Sequence, residues 1–229
     1  MIKSYQAGAK ILLAVDCIVF GFDGTVLKIL LVKRAFEPAK GQWSLIGGFL
    51  EKDEVLDTAA KRILQAYTGL KQVYLEQFHA YSEVNRDPGE RTISVAYFAL
   101  INIANHDSDL IKNYDAQWFS LTEVPNLIFD HNDMLQHAVQ RMRYRTSIKP
   151  VGFELLPYKF SMLQLQKLYE AILDKKLDKR NFISKINSLD ILIKLDEKDR
   201  QSSRKGSYLY TFDIQKYDDK LLNDFVLNL

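Results

Sequence analysis

Cysteine is nearly absent from this 229-residue chain, with Cys17 its one thiol. A single cysteine excludes an internal disulfide framework and suits a reducing compartment. Cys17 lies in the apolar run AVDCIVFGF, the setting of a buried strand residue rather than a nucleophile. A charge excess is also missing. The formal net charge is only +2, so any nucleic-acid surface must come from local clustering rather than from the chain as a whole. No apolar run is long enough to span a membrane, because charges break each one within a few residues. The opening segment MIKSYQAGAKILLAVDCIVFGF has a basic start followed by apolar residues, as a signal peptide does. Asp16 interrupts it and no small-residue cleavage site closes it, so a first strand and a cytoplasmic location are expected. His79, His106, His131 and His137 show no metal-ligand spacing. No metal and no cofactor are expected, and FDH around His131 reads as a turn and helix start.

What is present divides into two patterns. Residues 11–34 read as two strands, ILLAVDCIVFGF and VLKILLVKR, joined by the turn signal DGT. AFEPAKGQWSLIGGFLE places loops around a short apolar strand. A helix is expected from about Glu54 to Tyr67, with Asp53 as its N-cap and Gly69 as a left-handed C-terminal cap. VYLEQFHAYSEV and RTISVAYFALINI are rich in β-branched and aromatic residues and read as strands around the polar loop NRDPGER. AQWFS begins another strand, and HNDMLQHAVQRMRYRTSI is amphipathic and helical. Residues 1–147 therefore look like an α+β sandwich.

Two prolines and a glycine in SIKPVGFELLPYKF mark a boundary, read as a connection over 148–158. Residues 159–229 follow a different order. SMLQLQKLYEAILDK carries a helical apolar stripe with Ser161 as N-cap, and DKRNFISKINSLD is a second helix capped by Asp178. ILIKL and YLYTFDI are strands around the charged loop DEKDRQSSRKGS. Helix, helix, strand, basic loop, strand is the order of a winged helix-turn-helix.

Gly48, Glu54, Arg62, Leu64, Gly69 and Leu70 fall in register with the Nudix box, which this stretch resembles. The box's three catalytic glutamate positions hold Ile63, Ala66 and Tyr67. Positions three and four apart share a helix face, and in active members that face gathers carboxylate oxygens around Mg²⁺. Isoleucine, alanine and tyrosine offer no comparable anionic oxygens. A structural ion pair is expected between Glu54 and Arg62. FEPAKGQWSLIGGFLEKDE, DPGER, IFDH and LQLQKLYEAI…DKRNF together are similar to the Nudix-related transcriptional regulators, over about residues 10–215. That resemblance implies a Nudix-like mixed-sheet α/β/α sandwich followed by a winged helix, with no hydrolase activity. It also implies a homodimer that binds operator double-stranded DNA, without membrane association, and changes its grip when a small molecule fills the Nudix pocket. The resemblance points to the sugar-responsive, arabinose-type subgroup. An ADP-ribose-sensing regulator and a residual hydrolase using Glu51, Asp53 and Glu54 are the alternatives.

A sugar pocket needs polar groups for hydroxyls and an aromatic face. KRAFEPAKGQW supplies Arg34, Glu37, Lys40 and Trp43, and NRDPGER supplies Asp87, Glu90 and Arg91. The duller readings are a core role for Trp43 and a loop-bracing ion pair for Arg91. For DNA, the second helix of the motif offers Lys179, Arg180, Asn181 and Lys185, with Phe182 and Ile186 as core. The wing loop adds Lys198, Arg200, Arg204 and Lys205 for phosphate or minor-groove contact. Asp196, Glu197 and Asp199 in that loop are expected to face away from DNA.

Overall fold

The computed structural model describes residues 8–71, 73–105, 114–199 and 206–217. Its organising element is β1 (Leu12–Phe22), a strand buried over most of its length. Alternate side chains leave a strand on opposite faces, so β1 supplies two cores at once. Ile18, Phe20 and Phe22 enter one, while Val15, Cys17 and Val19 enter the other. Asp23 closes the following turn by accepting hydrogen bonds from the Thr25 and Val26 amides, both at 2.9 Å. The chain then returns as β2 (Leu27–Lys33) and continues through β3 (Trp43–Ser44), β4 (Ile46–Phe49), β5 (Tyr74–Tyr81), β6 (Thr92–Asn102) and β7 (Ala116–Ser120). The sheet runs β3-β2-β1-β6-β5, with β4 on β1 and β7 on β2. The β1–β6 pair is parallel and the remaining pairs are antiparallel.

One helix covers each face. Helix α1 (Leu56–Thr68) buries Ala59, Ala60, Ile63 and Leu64 on the Val15–Cys17–Val19 face. Helix α2 (His131–Ile148) buries Met134, Leu135, Ala138 and Met142 on the other. This is the mixed-sheet sandwich that the resemblance implies. One local expectation changes. Helix α1 starts at Leu56, its N-cap position is Val55 with no side-chain cap, and Asp53 lies outside it. The reason is the Glu54 carboxylate, which accepts the Glu51 amide at 2.9 Å and so holds the preceding residues in a turn. At the other end Gly69 adopts φ 74° and caps the helix as expected.

The second unit contains β8 (Phe160–Ser161), α3 (Met162–Leu173), α4 (Lys179–Ser188), β9 (Leu192–Asp199) and β10 (Ser207–Phe212). Its sheet runs β8-β10-β9, all antiparallel, which with the two helices is a winged helix. Ser161 and Gln164 form a reciprocal capping box at the start of α3. Two residues are too few to show alternation, and β8 has no signature in the sequence. The connection over 148–158 is packed: Val151, Phe153, Leu155 and Leu156 are buried, and the 3₁₀ turn Phe153–Leu155 lies against β1 and β6. Farther along α2, Arg143 donates to the Ile172 carbonyl at 3.0 Å and to Asp174 at 3.2 Å. The apolar core is continuous from the sandwich into the winged helix.

Candidate functional site

The topology opens a cavity at one end of the sheet. β1 pairs with β4 over Ala14–Cys17 and with β2 over Val19–Phe22, so its neighbour changes halfway along. A cavity of about 170 Å³ lies where the ends of β2 and β4 meet the loop before β6 and the start of α2. Asp16 and Ala14 of β1, Val32 and Lys33 of β2, Ser44 of β3, Leu45, and Gly47, Gly48 and Phe49 of β4 contribute to its walls. Arg86, Asp87, Phe129 and His131 close it from the far side.

Its deepest wall is a buried charge cluster. The Arg86 side chain is only 3% exposed and donates to both carboxylate oxygens of Asp130, at 2.8 and 2.7 Å. Its second partner is Asp16, at 3.8 Å, which also accepts from the Ser94 hydroxyl. A buried guanidinium is tolerable only with such pairing. Asp130 stands at the N-cap position of α2 yet makes no side-chain cap, because Arg86 takes its carboxylate. The next residue, His131, is buried and its Nδ1 accepts the Leu45 amide at 3.1 Å, which assigns the ring proton to Nε2. Burial holds its pKa below the usual histidine value, so the neutral ring ties the junction between β3 and β4 to α2. Gly47 is required by the same cluster, since a Cβ there would lie 2.2 Å from Asp16 Oδ1.

The residues expected to meet an effector separate into two groups. Arg34 and Asp87 line the cavity. The Arg34 guanidinium lies 4.0 Å from the Phe36 ring centre and 5.1 Å from that of Phe129, held between two aromatic faces. Glu37, Lys40, Trp43, Glu90 and Arg91 are not among the lining residues. Trp43 packs edge-on against Phe119 at 4.9 Å, joining the core as its duller reading had it. Arg91 donates to the Ser82 and Glu83 carbonyls, bracing its loop through backbone rather than through Glu37 or Glu90. Glu37 and Lys40 are exposed, and the Glu37 carboxylate lies 3.5 Å from the Lys40 amide. Sequence reasoning omits Asp16, Lys33, Arg86 and the aromatic set Phe36, Phe49 and Phe129. One signal existed, because a lone carboxylate inside the apolar run of β1 demands a buried partner.

On α1, the three positions that the Nudix-box resemblance assigns to glutamates are held by Ile63, Ala66 and Tyr67. Ile63 is 4% exposed, and its Cδ1 lies 3.1 Å from where a Gly48 Cβ would stand. Tyr67 lines the cavity and packs against Tyr114 with ring centres 4.4 Å apart, while Ala66 is exposed. Glu54 is engaged by Arg62, whose Nε donates to it at 3.0 Å and whose Nη2 makes a second, shorter bond. Arg62 holds the Glu54 carboxyl below its usual range, and Arg62 also donates to the Phe49 carbonyl at 3.1 Å. Among the described residues no three His, Cys, Asp or Glu side chains gather as a metal site would need. The Mg²⁺ that the Nudix fold implies therefore does not fit the side chains on this face.

The second candidate surface is at the other end of the molecule. Asp178 caps α4 by accepting the Asn181 amide at 2.9 Å, which fixes the helix start. Lys179, Arg180 and Asn181 are exposed in the first turn, and Lys185 follows half-exposed. Phe182 and Ile186 point the other way and are buried, each contributing about 1.5–3 kcal/mol. In the hairpin, Lys194 and Lys198 both approach the ring of Tyr208, at 3.6 and 4.7 Å. A register irregularity in the pairing brings them to one tyrosine: Tyr208 faces Lys198 while Tyr210 faces Lys194. Glu197 is paired with Lys159 at 2.6 Å. Arg200, Arg204 and Lys205 lie outside the described residues.

Comparison with known proteins places both units. Residues 10–138 match the NUDIX domain, and residues 152–212 match the NrtR DNA-binding winged helix domain. The chain is 34% identical over 211 residues to the ADPR responsive transcriptional repressor NtrR of Acinetobacter baylyi, covering 90% of this chain and 84% of that one. The crystal structure of Shewanella oneidensis NrtR complexed with a 27mer DNA is similar with a TM-score of 0.82 and 28% identity. That likeness covers 90% of this chain and 95% of the other. The NUDIX domain of the same protein, crystallised with ADP ribose, is 30% identical with a TM-score of 0.50, over 60% of this chain and 92% of that one. None of the three names arabinose or another free sugar as a ligand. The chain belongs to the NrtR-like family, in which a NUDIX domain is joined to a DNA-binding winged helix.

Proposed function

We propose that this protein is a transcriptional repressor that binds operator DNA as a homodimer through α4 and the β9–β10 wing. Its Nudix-like cavity senses ADP-ribose, or a closely related nucleoside diphosphate, without cleaving it. The observation that carries this reading is the composition of the cavity. Lys33 and Arg34 line it together with Phe36, Phe49, Phe129, Tyr67 and Asp87. A diphosphate matches the two cations, an adenine matches an aromatic face, and ribose hydroxyls match a carboxylate acceptor. An uncharged pentose would leave both cations unmatched, so the sugar expectation is weaker on chemical grounds. The likeness to an ADPR responsive repressor supports the same choice. Loss of carboxylates at positions 63, 66 and 67 supports sensing over hydrolysis.

The test uses full-length protein and an operator selected from a random duplex pool. Fluorescence anisotropy should show salt-dependent binding to the selected DNA. ADP-ribose should shift that affinity at least about tenfold, a coupling of ordinary size, while arabinose should leave it unchanged. Selection of no specific DNA, or an operator affinity indifferent to ADP-ribose, would sink the proposal.

A further inference from the structure

In active Nudix proteins a divalent cation offsets the charge of the diphosphate, and here the helix face that should hold it has been refitted. Ile63 fills the space against Gly48 with hydrocarbon. The box glutamate that remains, Glu54, is already neutralised by Arg62 through two hydrogen bonds. At the third position a phenol replaces the carboxylate: Tyr67 lines the cavity, half-buried, its ring held against Tyr114. Burial, and then the neighbouring Tyr114, raise the Tyr67 pKa, so its hydroxyl is protonated near neutral pH and available as a donor.

The remaining cavity supplies positive charge without metal. A diphosphate diester carries two negative charges. Lys33 and Arg34 both line the cavity, and among the described residues neither is held in an ion pair. Arg34 spends its Nε on the Phe36 carbonyl at 3.2 Å and keeps its other donors. Arg86 is different, being committed to Asp130 and Asp16. Two cations and one neutral donor form a set that receives an anion, whereas a carboxylate at position 67 would repel it unless a metal stood between.

We infer that the cavity binds its diphosphate ligand without a divalent cation, and that Tyr67 is a specificity-determining residue donating its phenolic hydrogen bond to that ligand. The inference rests on the ADP-ribose reading and adds to it the mode of charge compensation. It makes metal independence a property of the side chains at 63, 66 and 67.

Isothermal titration of full-length protein with ADP-ribose, in EDTA, in Mg²⁺ and in Mn²⁺, tests it directly. The three affinities should agree within about twofold, because no site for a hard cation has to be filled. Tyr67→Phe keeps the ring packing and removes the donor, and should weaken binding about tenfold in all three buffers, the worth of one hydrogen bond to a charged group. Ala66→Glu combined with Tyr67→Glu should restore cation dependence, with binding lost in EDTA and recovered in Mg²⁺. Failure of that recovery would show that the side chains at 66 and 67 do not set the metal dependence. Wild-type binding confined to the Mg²⁺ or Mn²⁺ buffers would overturn the inference and leave the ADP-ribose reading standing. Unchanged affinity in Tyr67→Phe would remove Tyr67 from it. Absence of ADP-ribose binding in every buffer would overturn both.

Discussion

The cavity and the start of α4 handle cationic side chains in opposite ways. In α4, Lys179 and Arg180 are adjacent, exposed and set in place by one cap, Asp178. They remain solvated, and their cost to the fold is small. In the cavity, Arg86 is almost sealed from water and needs Asp130, Asp16 and the Ser94 hydroxyl beyond it to be tolerated there. Arg34 is intermediate, half-exposed between two rings with donors to spare. The contrast separates arginines whose donors are spent on the fold from arginines whose donors remain available to a partner. Desolvation makes the difference: a buried charge has spent its donors on the fold, and an exposed one keeps them.

Substitutions can break this contrast in order of size. Arg86→Ala should be the most damaging, costing about 3–5 kcal/mol by leaving buried carboxylates unpaired. Urea unfolding followed by Trp43 and Trp118 fluorescence measures it, and a loss below about 1 kcal/mol would mean that the cluster is hydrated and not structural. Arg34→Ala should leave stability and ligand-free operator binding unchanged while lowering ADP-ribose affinity by about 1.5–3 kcal/mol, read by calorimetry. Equal losses of operator and ADP-ribose affinity would erase its assignment to the ligand. Arg180→Ala should weaken operator binding by about 1–3 kcal/mol and relax preference at one base pair, with ADP-ribose affinity intact. Anisotropy across single-base operator variants checks this, and a uniform loss would reassign Arg180 to phosphate. Asp178→Ala should cost about 1 kcal/mol through loss of the cap. Thermal unfolding reads that smaller effect, and no change in midpoint would show that α4 is positioned by Phe182 and Ile186 alone.

Much of the secondary structure was legible because it depends on local chemistry. The limits of α2, the Ser161 cap of α3 and the Asp178 cap of α4 follow from neighbouring residues, as does the Asp23 turn. The start of α1 was misplaced because Asp53 is a good cap by type, whereas the Glu54 carboxylate organises the turn before the helix. The candidate cavity was legible only in part. Arg34 and Asp87 were drawn from loops named by their motifs, and they line it. Lys40, Glu37 and Glu90 have the same chemical character, and nothing within the loops distinguishes them. Arg86 sits one residue before Asp87 with no local mark of its burial.

The sequence alone therefore determined the order of the longer elements, the two-part architecture, the absence of carboxylates at Ile63, Ala66 and Tyr67, and the cationic first turn of α4. Each depends on residues within a few positions of one another, where helix periodicity and capping chemistry act. Tertiary structure decided which charges meet. Asp16, Arg86 and Asp130 are brought together by the parallel β1–β6 pair and by the seating of α2 on the sheet. Their pairing is enforced by the cost of burying any one of them alone, a cost that exists only after the chain has closed around it.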